Sequence, residues 1–101
     1  MSIVDITYEK LNNAIGISKY QYSKDWLKKS MSYYAYLNST GAEASNDVLL
    51  GIWGEALRKT NLCEELAKKY GNTLTFNENK KVYETIAEDV SSELKRTAME
   101  M

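Results

Sequence analysis

Residues 17–41 of this 101-residue chain read ISKYQYSKDWLKKSMSYYAYLNSTG. The stretch spells two short helices and a tight turn, because polar residues stand where helix ends leave backbone amides unpaired. Ser18, with Gln21 three residues on, forms a capping box: the hydroxyl accepts from an orphan amide and the glutamine reaches back. Ile17 before the cap and Tyr22 at the fourth helical position supply the accompanying hydrophobic staple. Ser30 offers a second N-cap, and Gly41, soon after Leu37, a C-terminal stop. Tyr22, Trp26 and Leu27 give the first helix an apolar face, while Tyr33, Tyr34 and Leu37 do so for the second.

The same reading extends outward in both directions. Ser2 with Asp5 starts a helix near Ile3, with Val4, Tyr8, Leu11 and Ile15 at helical spacing and Gly16 as its stop. After a connector at residues 41–44, Ser45 or Asn46 caps the next helix. Its stripe runs through Val48, Leu49, Ile52, Trp53, Ala56 and Leu57, then Leu62, Cys63, Leu66, Ala67 and Tyr70 to a stop at Gly71. One continuous or slightly kinked helix is expected, with two helices broken at residues 59–61 as the alternative. Residues 72–77 read as a loop that Leu74 and Phe76 pin onto the core. A last helix from about 78 to 97 carries Val82, Tyr83, Ile86, Ala87, Val90 and Leu94, with Lys95 and Arg96 placed against its dipole. The residues beyond it, to Met101, are expected to fray.

Proline is absent, where a chain of this length usually carries about five, so nothing interrupts these helices. The expected fold is all-α, with helix above about 60% and no sheet. It is one compact domain over residues 1–101: a helix-turn-helix-like unit at about 18–41 and a helical tail at about 45–98. Trp26 and Trp53 read as core. Gly51 and Gly54, flanking Trp53, mark a close helix approach, either within the domain or across a dimer contact.

Composition excludes much chemistry. With no histidine there is no Ser-His or Cys-His pair, and one cysteine cannot complete a structural zinc site. Cys63 lies on an apolar stripe and reads as an inert buried thiol that suits a reducing, cytoplasmic setting. The pairs Glu84 and Glu88, and Glu65 and Lys69, read as solvated helix faces. Neither an enzyme, a metal site nor a cofactor is expected. No apolar run reaches the roughly 18 residues of a membrane span, and the first residues do not open a signal peptide.

Charge and tyrosine single out the helix pair. Residues 18–40 hold four lysines against Asp25 alone (+3), while the rest of the chain holds nine basic and thirteen acidic residues (−4). Five of eight tyrosines fall between Tyr20 and Tyr36. Supporting helix, turn and second helix are the parts of a helix-turn-helix, whose second helix enters a DNA groove. Lys24, Lys28 and Lys29 are the candidate phosphate contacts, with Ser32, Tyr33 and Tyr36 toward the groove. No arginine lies on the second helix, so the commonest guanine reader is missing.

The segment SKYQYSKDWLKKSMSYYAYL resembles the Cro/repressor type of helix-turn-helix domain. It also resembles small bacterial or phage proteins with a pattern near F-S-x-D-W-L-x-x-S-x-S-Y-Y-x-x-L, met here by Tyr22, Ser23, Asp25, Trp26, Leu27, Ser30, Ser32, Tyr33, Tyr34 and Leu37. The resemblance covers about a quarter of the chain. It implies that the second helix reads the major groove through Ser32, Tyr33, Tyr36 and their neighbours. Such repressors usually have a small residue near Trp26 and a glycine in the turn, where this chain has Lys28 and Lys29. Two functions follow as expectations. The first is a small DNA-binding regulator, non-enzymatic and homodimeric, with duplex DNA as partner. The second is a helical adaptor or accessory protein whose helix pair binds protein.

Overall fold

A computed structural model describes residues 2–71 and 74–100. Its five helices are α1 (Ile3–Ile15), α2 (Lys19–Asp25), α3 (Tyr33–Thr40), α4 (Asn46–Tyr70) and α5 (Leu74–Glu100). The fold is all-α: helix accounts for 82% of the described residues, and none of them is in a strand.

Local chemistry sets the ends of the helices. Ser2 Oγ accepts from the amide of Asp5, and Ser18 Oγ accepts from the amide of Gln21 at 3.1 Å. Gly16 and Gly41 stop α1 and α3 in the left-handed region, at φ 67° and 69°, each donating its N–H to a carbonyl of the preceding turn. Only glycine takes that conformation without strain. The stripe from Val48 to Tyr70 forms one unbroken helix, and residues 59–61 do not interrupt it.

α4 and α5 form a long helical hairpin, pinned near its closed end by Lys80 Nζ and Glu64 Oε1 at 3.1 Å. The other three helices pack on it. α1 is tied to α5 by the Lys10–Asp89 ion pair. Three rings join α1, α2 and α3: Tyr8, Tyr22 and Tyr34 have centroids 5.1 to 5.3 Å apart. Their polar ends are satisfied, since Tyr22 Oη donates to the Val4 carbonyl at 2.7 Å and Tyr34 Oη to Asp5 at 2.6 Å. Burial pushes both phenol pKa values up, and the carboxylate of Asp5 adds to the effect. The core cluster draws on all five helices, with Leu11, Tyr22, Trp26, Leu27, Ile52 and Ile86 among its most buried members.

Four expectations are corrected. Ser30 is not the cap of α3: the helix begins at Tyr33 after Ser32, whose side chain makes no cap bond. The tight turn is instead a seven-residue link, within which Trp26 and Leu27 both fold into the core. Trp53 is 37% exposed on the outer side of α4, where the core side is already filled by Ile52 and Ala56. The span read as a loop at 72–77 is helical from Leu74, which is exposed and pins nothing, while Phe76 is half-buried. Asn72, Thr73 and Met101 lie outside the described residues, and α5 continues to Glu100, past the end expected at 97.

The two tryptophans therefore separate by stability. Trp26→Ala, at 2% exposure, should cost about 3–5 kcal/mol. Trp53→Ala should cost no more than about 1 kcal/mol, as a surface change does. Urea unfolding of the two variants checks this; equal losses would place Trp53 in the core after all.

Candidate nucleic-acid interface

The α2–α3 pair is held by a buried serine. Ser23, fully buried in α2, accepts a hydrogen bond from the Tyr34 amide at 3.0 Å and donates to the Lys19 carbonyl. An orphan amide in the first turn of α3 is thus capped from the neighbouring helix, which is why Ser32 can leave its own side chain in solvent. The link between the helices is fixed by three further bonds: Leu27 N to the Tyr22 carbonyl, Lys29 N to Ser23, and Tyr33 N to Ser30. Within it Lys28 adopts φ 58°, the one non-glycine residue at positive φ among those described. A lysine thus occupies the conformation that a turn glycine would take.

What holds Lys28 there is Glu55 of α4. This carboxylate is 4% exposed, and its Oε2 accepts from Lys28 Nζ at 3.0 Å. Arg58 binds the same carboxylate through both Nε and Nη2, and Lys59 Nζ lies 3.8 Å from Oε1. Burial works to raise the Glu55 pKa, but hydrogen bonds from Arg58 and Lys28 outweigh it and hold the carboxyl below its ordinary 4.5. A Cβ placed on Gly51 would stand 3.6 Å from both Lys28 Cγ and the Trp26 carbonyl oxygen, so the turn passes α4 within reach of one methyl group.

The six candidate residues fall into two groups. Ser32, Tyr33 and Tyr36 lie together at the start of α3 beside Lys29, whose Nζ is 5.8 Å from the Tyr33 ring centroid; the Tyr33 and Tyr36 rings are 6.3 Å apart. Lys29, Ser32 and Tyr36 are exposed and Tyr33 half-buried, with Tyr34 the one that turns inward. Lys24 and Lys28 face elsewhere, into a cleft of about 580 Å³ between α2, the turn and α4. Arg58 and Lys59 also line that cleft, about thirty residues further along the chain. Sequence reasoning missed them: Glu55, Arg58 and Lys59 have ordinary spacing for a solvated helix face, and nothing local says that the turn docks on them.

A larger groove, about 950 Å³, lies between α1, α3, the 41–45 connector and the end of α5. Its one arginine, Arg96, is already paired with Glu93 and Glu100. Among the described residues no helix is long and apolar enough to cross a membrane, and no group of three or more acidic or cysteine side chains is placed to hold a metal ion.

No protein-family model, curated protein or solved structure matches this chain.

The Glu55 network gives a pH dependence whose sign is fixed. A carboxyl held below its unfolded value stabilises the fold fully above that value, and the contribution is lost as pH falls through the folded one. Asp5 behaves likewise: burial raises its pKa, and hydrogen bonds from Tyr34 and Ser2 more than offset this. Stability should be level from neutral pH down to about 5 and fall in more acid solution. Glu55→Gln should cost about 1–2 kcal/mol at neutral pH and blunt the acid loss, leaving the part due to Asp5. Thermal unfolding followed from pH 7 to pH 3 measures both.

Proposed function

We propose that this protein is a small, non-enzymatic duplex-DNA-binding module of the helix-turn-helix type that contacts DNA through α3 and the turn before it. The observation that carries the reading is the surface made by residues 26–42. No acidic side chain occurs in that span, and Lys29, Ser32 and Tyr36 are all exposed on it. The eight residues of α3 give a rod about 12 Å long, and a helix of about 10–12 Å diameter fits the major groove. Ser23 clamps this rod to α2, so its pose does not have to be paid for on binding. Tyrosine and serine hydroxyls suit phosphate and base edges, while the lack of arginine favours weak, mostly backbone-directed contact. Lys28 contributes less than Lys29, because one of its three donors is already on Glu55.

The second reading, protein binding, is favoured by a different face. Leu50, Trp53 and Leu57 stand on successive turns of α4, 49%, 37% and 41% exposed, and Gly54 beside them has open space around it. The occupant that fits is a second copy. A two-fold axis between Trp53 and Gly54 lays Leu50 on Leu57 of the other copy, so the apolar positions match in the antiparallel arrangement. Light scattering at tens of micromolar protein should then return twice the chain mass, and Trp53→Lys should return the chain mass with helix content unchanged. A monomer in the parent protein removes this face from the argument.

DNA binding is tested by salt. The protein should bind a random-sequence duplex near 50 mM salt, and its log affinity should fall linearly with log salt. Lys29→Ala should weaken binding and reduce that slope by about one. Tyr36→Ala should weaken binding with the slope nearly unchanged, since it removes no charge. No affinity at 50 mM salt ends the DNA reading and leaves the protein-binding one.

A further inference from the structure

We propose that the cleft between α2, the 26–32 turn and α4 is a binding site for a phosphate-bearing anion, with Lys24, Lys28, Arg58 and Lys59 as its cationic wall. This goes beyond the DNA reading and does not need α3 to enter a groove. Four cations and two carboxylates, Asp25 and Glu55, line the cleft. They leave it at +2 in a chain whose total is −1, so the remainder carries −3. An excess of positive charge confined to one concave site of an otherwise acidic molecule is where a small anion collects.

The donors are also suitably spent and unspent. Lys28, Arg58 and Lys59 all place their ion pairs on Glu55. That carboxylate is buried and already accepts on both oxygens, so it gathers the cations without competing further for their outer hydrogens. Each lysine has three donors and Arg58 five, and Glu55 takes only some of them. The outer parts stay wet, since the side chains of Lys28 and Arg58 are 52% and 66% exposed. The guanidinium fork matches two phosphate oxygens, and the ammonium groups match the rest as point charges. Below them Trp26 and Tyr83 stack at 5.9 Å and give the cleft a packed, preformed floor. At about 580 Å³ the space is in the range of small-molecule sites, large enough for a diphosphate or a short piece of phosphodiester backbone.

Inorganic pyrophosphate is the probe, titrated into the 15N-labelled full chain while amide shifts are followed. Saturable shifts confined to residues 24–28 and 55–59, absent with sodium chloride at the same ionic strength, are expected. Arg58→Ala should weaken binding about tenfold, the usual effect of losing a charged hydrogen bond. Asp25→Asn should tighten it about threefold, as removal of one water-screened like charge roughly 6 Å away requires. The opposite signs guard against a variant that merely unfolds, because Asp25→Asn must gain affinity to agree. Shifts that never saturate, that chloride reproduces, or that Asp25→Asn weakens overturn the proposal. A short DNA duplex added last identifies the source of the phosphate. Displacement of pyrophosphate marks a nucleic-acid backbone, and retention marks a free phosphorylated ligand; either upholds the cleft.

Discussion

Trp26 and Leu27 are neighbours in the chain, and both are buried. On a helix, neighbours point about 100° apart, and a broad face buries both, as Val48 and Leu49 do on α4; here the pair lies beyond the end of a helix instead. α2 ends at Asp25, the two side chains fold into the core, and the chain reverses direction at Lys28. The later elements follow from that reversal. α3 starts late, Ser23 rather than a local serine caps it, and the turn lands beside Gly51, where a Cβ would just make ordinary contact. The left-handed lysine is tolerated because its ammonium reaches a buried carboxylate, which offsets a backbone cost of order 1 kcal/mol.

Much of this architecture is written locally. Ser2, Ser18, Gly16 and Gly41 act where they stand, through hydrogen bonds no more than five residues long. Helix ends of that kind can be read from a short window. The continuous α4 was legible for a similar reason, since nothing in it breaks a helix. The misread positions depend on partners remote in sequence. Ser30 has the composition of a cap, but the Tyr34 amide is served by a residue eleven positions earlier. Trp53 has the composition of core, yet a helix can present its stripe to only one neighbour, and Ile52 and Ala56 took that side.

The candidate site was legible in part for the same reason. The lysine-rich, acid-free stretch is visible in composition, and its tyrosines and serines do gather at the start of α3. What composition does not carry is which charges meet. Lys28 falls in with Arg58 and Lys59 rather than with Lys29, because Glu55 binds all three from another helix, and Lys24 lines the same cleft. A single buried carboxylate thus draws Lys28 toward α4 and leaves Lys29 beside Tyr33.

The tie between α1 and α5 has a consequence for the order in which the chain assembles. Lys10 and Asp89 are 79 positions apart, whereas α4 and α5 are joined by a short link and meet largely through local pairing. Closing the hairpin costs little loop entropy, and closing the first helix onto the last costs more. On a ribosome α1 emerges well before α5 and must wait for the 79 positions that separate Lys10 from Asp89. Its apolar side, with Val4 and Leu11 uncovered, is therefore the surface most in need of protection while synthesis is under way.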